Sequence, residues 1–173
     1  MNIFVLDEDP QQAAKCHCDK HMKLLLESAQ LLCIAHKQTG SNNAPYKGQG
    51  FKNHPCSVWT RESIENYRWL VKLGLFLCKE YTYRYGKIHK SQSVIEWAKN
   101  NEPNLPNIPR TPFVQAMPDD VKNENTVEAY RAYYCKYKSS FAKWKKREIP
   151  CWYIKNLPLE EIIFPENAEK IVK

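Results

Sequence analysis

The chain has 173 residues, with 26 Lys and Arg against 19 Asp and Glu, for a net charge of +7. That length suits one domain with a sizeable core, and that charge favours an anionic partner, most often nucleic acid. No apolar stretch is long and uncharged enough to span a membrane, and the acidic start, residues 1–10, does not read as a secretion signal. The seven cysteines are therefore expected to be reduced thiols in a cytoplasmic protein.

Asn2 to Leu6 is a short apolar run, suited to a strand or an extended N-terminal segment. Asp9-Pro10-Gln11-Gln12 is a helix start: Asp9 can cap, Pro10 fits the first helical position, and Gln12 can reach back. A first long helix is expected from Pro10 to Lys37, then a polar loop from Gln38 to Pro55. A second long helix is expected from Val58 to Tyr85. Ile64, Tyr67, Val71, Gly74, Cys78, Tyr81 and Tyr85 make one buried stripe along it, and Gly86 is a natural stop. A short helix follows from Gln92 to Lys99. The proline-rich stretch from Pro103 to Pro118 is expected to wrap the surface in extended form. A third long helix is expected from Asn125, a capping box with Glu128, to Arg147. Its stripe is Val127, Tyr130, Tyr134, Tyr137, Phe141 and Trp144, and its other side is basic. The fold expected is thus mainly α: a single compact domain over residues 1–173, with three long helices, long ordered loops and a short extended N-terminal segment.

Glu27 stands out. Residues 24–35, Leu-Leu-Leu-Glu-Ser-Ala-Gln-Leu-Leu-Cys-Ile-Ala, are apolar nearly all round, the pattern of a helix buried on most sides. Glu27 and Gln30 share a face, and a buried carboxylate is costly without a partner. Two readings stay open: a carboxylate satisfied by Lys23 one turn earlier or by an arginine, or reaching solvent, and a site carboxylate with a raised pKa. Cys16-His17-Cys18 with His21 resembles a metal motif, but on a helix Cys16 and Cys18 point to nearly opposite sides, and a closed zinc site needs four convergent ligands. We expect neither a metal nor another cofactor. There is no phosphate-binding glycine loop, nucleophile elbow or dinucleotide fingerprint. Arg84 to Lys90 is a basic segment that suits either phosphate contact or a solvated loop.

Asp19-Lys20-His21, then Glu27-x-x-Gln30-Leu31-Leu32, Asn53-His54-Pro55 with Trp59, the Tyr-rich helix ending at Arg84, and Pro150-Cys151-Trp152-Tyr153 together resemble the pyrimidine-dimer DNA glycosylase family. The chain also resembles a group of small phage-encoded proteins, which would put it in a host cytoplasm. The family resemblance implies a DNA glycosylase with abasic-site lyase activity on damaged or modified double-stranded DNA. The nucleophile would be the N-terminal amine, with Glu27 as its partner. Asn2 is large, so Met1 is expected to stay; the amine is that of Met1, or of Asn2 if Met1 is removed. Candidate nucleic-acid contacts are Lys20, His21, His54, Arg61, Arg84, Lys87, His89, Arg131, Lys143 and Trp152. The alternative is a basic protein of phage type that binds nucleic acid or a host protein without chemistry.

Overall fold

A computed structural model describes residues 1–47 and 50–155. Its order is α1 (Pro10–Cys16), a 3-10 turn (Asp19–Lys23), α2 (Leu24–Gln38), α3 (Pro55–Glu62), α4 (Ile64–Tyr85), α5 (Gln92–Asn100), a 3-10 turn (Asp119–Val121), α6 (Thr126–Tyr137), a 3-10 turn (Ser139–Phe141) and α7 (Cys151–Lys155). The mainly α class is as expected, and no strand forms among the described residues. The last stretch of the tail, 156–173, lies outside the described residues.

The N-terminal segment is extended but sits in the core. Ile3, Phe4, Val5 and Leu6 are all buried. Phe4 packs on His21, Tyr130, Tyr133 and Tyr134, with ring centroids 4.6 to 5.5 Å apart. A buried backbone needs hydrogen-bond partners, and side chains supply several of them here. Arg131 Nε donates to the Leu6 carbonyl (3.1 Å) and Trp69 Nε1 to the Glu8 carbonyl (3.0 Å).

The three long helices of the sequence reading are each broken. The first stops at Cys16, where His17 turns extended (φ −65°, ψ 131°). The carbonyls freed at a helix end need donors. Arg84 gives Nη1 to His17 O (2.8 Å) and Nη2 to Lys15 O (3.1 Å), while Trp144 Nε1 takes Cys16 O (2.9 Å). The break is therefore stabilised by side chains far away in sequence. The second helix starts at Pro55, three residues before the expected Val58, and breaks at Ser63, which is extended and caps α4 by accepting from Glu65 N–H. Its hydroxyl also donates to Ile108 O (2.7 Å), and Ile64 N–H donates to Pro106 O (2.9 Å). Asn66 bonds Thr111 through both ends of its amide. The proline-rich stretch is thus a strap laid over the α3–α4 junction, without regular structure as expected. Gly74 lets α5 approach α4 closely: a Cβ there would sit 3.0 Å from Ile95 Cδ1.

The third helix begins as expected, Asn125 accepting from the N–H groups of Val127 and Glu128. It ends at Tyr137, well short of Arg147. The following segment is drawn back onto α1 and α4 by Trp144 on Cys16 O and by Arg147 on Glu80 (Nη2 to Oε1, 2.6 Å). Those anchors override a helical pattern that runs on in the sequence.

Candidate active site

Glu27 lies in the first turn of α2 with its side chain 21% exposed, beside the exposed Leu26, while Leu24, Leu25, Ser28 and Ala29 are buried. Lys23 is exposed and makes no ion pair with it among the described residues. Its partner is the start of the chain. The Met1 amine is 3.7 Å from Glu27 Oε2, and the Asn2 N–H donates to the same oxygen at 2.9 Å. The Met1 side chain is buried beside this opening.

Asn2 is tethered on three sides. Its Nδ2 donates to Ala116 O (2.7 Å), and its Oδ1 accepts from Tyr130 OH (3.0 Å) and from the Cys56 thiol (3.5 Å). Tyr130 OH also meets Val114 O at 3.0 Å. The strap and α6 therefore hold the first residues against α2. Nothing in the sequence signals this, because Ala116 and Tyr130 lie more than a hundred positions from Asn2. Burial is the main cause that pushes the Cys56 thiol up to about 11, so it stays a neutral donor here.

His54 closes the near side. It caps α3, its ring nitrogen accepting from Cys56 N–H. Its pKa is held below the usual value, first by burial and then by the N-terminal amine, with Glu27 opposing. Of the ten expected nucleic-acid contacts, His54 is the one brought to the Glu27 site. Arg61 is one step removed: its Nη1 donates to Lys52 O (2.7 Å), on the loop leading to His54.

The others lie elsewhere or are committed. Lys20 and Lys143 are exposed, Lys20 over the Phe141 ring (4.2 Å). Lys87 is exposed just past the α4 stop at Gly86 (φ 65°), and His89 packs on Tyr81 nearby. Arg131 is divided among Leu6 O, Glu128 and Asp7. Trp152 is half-buried against Tyr134 and Arg131.

Two expectations are corrected. His21 is buried in the aromatic cluster, 2.5 Å from Tyr134 OH, with its pKa pushed down to about 3 chiefly by burial. Arg84 is fully buried, bonded to Glu80, Asp19 and the end of α1. Neither side chain has surface to offer a phosphate, and both hold the fold together instead.

Searches of curated proteins and of solved structures returned no match. A family model described as pyrimidine dimer DNA glycosylase matches residues 1–93, a span that holds Met1, Asn2, Glu27 and His54 and leaves out Ala116 and Tyr130. That match covers more than half of the 173 residues, and the chain belongs to the pyrimidine dimer DNA glycosylase family.

Proposed function

We propose that the protein is a DNA glycosylase with abasic-site lyase activity on damaged double-stranded DNA, using its N-terminal amine as nucleophile and Glu27 as proton carrier. The observation that carries this reading is the Met1 amine 3.7 Å from the oxygen of a partly open carboxylate. A merely structural surface ion pair has no need of the tether on Asn2 or of a carboxylate alone among the uncharged residues 24–35. If Met1 is excised, the Asn2 nitrogen becomes the amine, and it already lies 2.9 Å from Glu27.

The unprotonated amine attacks C1′ of the damaged nucleoside. The C1′–base bond breaks, and its electron pair leaves with the base, which takes up a proton. The nitrogen then loses a proton, the C1′–O4′ bond opens, and O4′ is protonated, leaving a Schiff base between the chain and the sugar. Glu27 stands where it can take the proton from the nitrogen, return it to O4′, and stabilise the positive charge on the sugar between those steps. Removal of a C2′ proton expels the 3′ phosphate, and water releases the enzyme. The net charge of +7 suits the phosphate backbone on which this chemistry takes place.

The test is a panel of duplexes carrying a pyrimidine dimer, an oxidised base, an abasic site or no lesion. The proposal expects strand cleavage at the dimer and at the abasic site, with the unmodified duplex intact. Binding to all four with no cleavage would contradict it and leave a non-catalytic DNA-binding protein.

A further inference from the structure

We propose that Phe51 is a stacking platform for a nucleobase, seated against a base of the duplex once the stack has been opened at the site. This rests on the glycosylase reading. Phe51 is 51% exposed, a large ring left in water at the lip of the site. One edge of it meets the His54 ring (centroids 6.5 Å apart, planes at 78°). From His54 the path to the site is short: His54 accepts from Cys56 N–H, and the Cys56 thiol reaches Asn2 Oδ1, whose own N–H holds Glu27.

The ring is exposed but its backbone is fixed. Phe51 O accepts from His54 N–H (3.0 Å), and the next carbonyl, Lys52 O, accepts from Arg61 (2.7 Å). A fixed platform loses little freedom when something stacks on it. Its chain neighbours Lys52 and Asn53 are exposed and polar, so the ring is a single flat face and not part of a broad apolar patch of the kind that docks protein. Lys52 and Arg61 place positive charge beside it, as a base attached to its phosphates requires. An amine that attacks C1′ inside a duplex must distort the stack to reach it, which leaves unstacked base faces close to the site. Phe51 is the described aromatic placed to cover one.

The test uses Phe51→Ala and Phe51→Trp in the full chain, with a duplex carrying an abasic site beside a 2-aminopurine. Wild type and Phe51→Trp should bind and raise the 2-aminopurine fluorescence. Phe51→Ala should bind roughly tenfold more weakly and lose most of that rise, since each base stacked on an aromatic ring contributes on that order. Phe51→Ala binding and unstacking the duplex like wild type would overturn the inference. Borohydride trapping of the wild type on an abasic duplex separates the two readings. If wild type fails to trap there, the glycosylase reading fails, and the fluorescence and binding still decide the role of Phe51.

Discussion

Glu27 and Glu80 both face cations, and the difference between them separates chemistry from structure. Glu80 is 7% exposed and saturated: its Oε2 accepts from Arg84 Nε and Nη2 and from Arg147 Nε, and its Oε1 from Arg147 Nη2. Burial alone would raise its pKa, but the two arginines outweigh that and hold it below the usual carboxylate range. Glu27 is three times as exposed, takes one N–H and stands 3.7 Å from an amine, and its Oε1 accepts nothing among the described residues. A buried carboxylate held by four guanidinium donors offers no open side to a substrate. A half-open one beside an amine keeps room for a sugar and a proton to move.

The largest expected effect breaks the comparison on the Glu27 side. Glu27→Gln keeps the shape and removes the charge, so single-turnover cleavage of abasic duplex should fall on the order of 10^3-fold. The melting temperature should hold or rise. A sharp fall in melting temperature would instead make Glu27 a structural partner of the Glu80 kind.

The next effect is on the Glu80 side. Arg84→Met leaves a buried carboxylate short of a partner and the end of α1 without its donor. Breaking such a pair costs about 3–5 kcal/mol, which for a chain of this size lowers the melting point by on the order of 10 °C. A loss of no more than a degree or two in a thermal melt would show that the network carries no such weight.

A smaller effect sharpens the contrast through pH. His17 sits at the end of α1 with its backbone on Arg84, and burial holds its pKa down to about 4; nearby His21 is held at about 3. Both folded values are below the unfolded one, so the unfolded chain binds more protons in between. Their contribution to stability is therefore full above about pH 6.5 and is lost as pH falls toward 4 and then 3. At pH 5 each should remove roughly 2 kcal/mol relative to pH 7. Denaturant melts at the two pH values check this, and His17→Gln should flatten the slope. A stability that does not change between pH 7 and 5 would contradict it.

Some of this was legible in the sequence, and physics explains the rest. Glu27 was visible because one charge in an apolar helix is an anomaly that needs a cause. The N-cap Asn125, the strap and the α4 stop at Gly86 were visible because caps and proline act locally. The break at Ser63 was not, since the stripe of α4 begins at Ile64 and masks a single extended residue before it. The end of α1 depends on Arg84 and Trp144, and no local pattern encodes such a long-range donor. Arg84 itself looked like any surface arginine, because sequence does not distinguish a guanidinium that is already bonded from one left free. The tether on Asn2 was invisible for the same reason: Tyr130 reads as one more ring on a helical stripe.

The central claim is that the N-terminal amine, placed against Glu27, is the nucleophile. Borohydride reduction during reaction with abasic-site DNA tests it most directly, since it converts a Schiff base into a stable bond. The account predicts a cross-linked species whose peptide map places the DNA on the N-terminal nitrogen, of Met1 or of Asn2 if Met1 has been removed. An adduct on Lys20 or Lys23, or none on a protein that binds the same DNA, would contradict it.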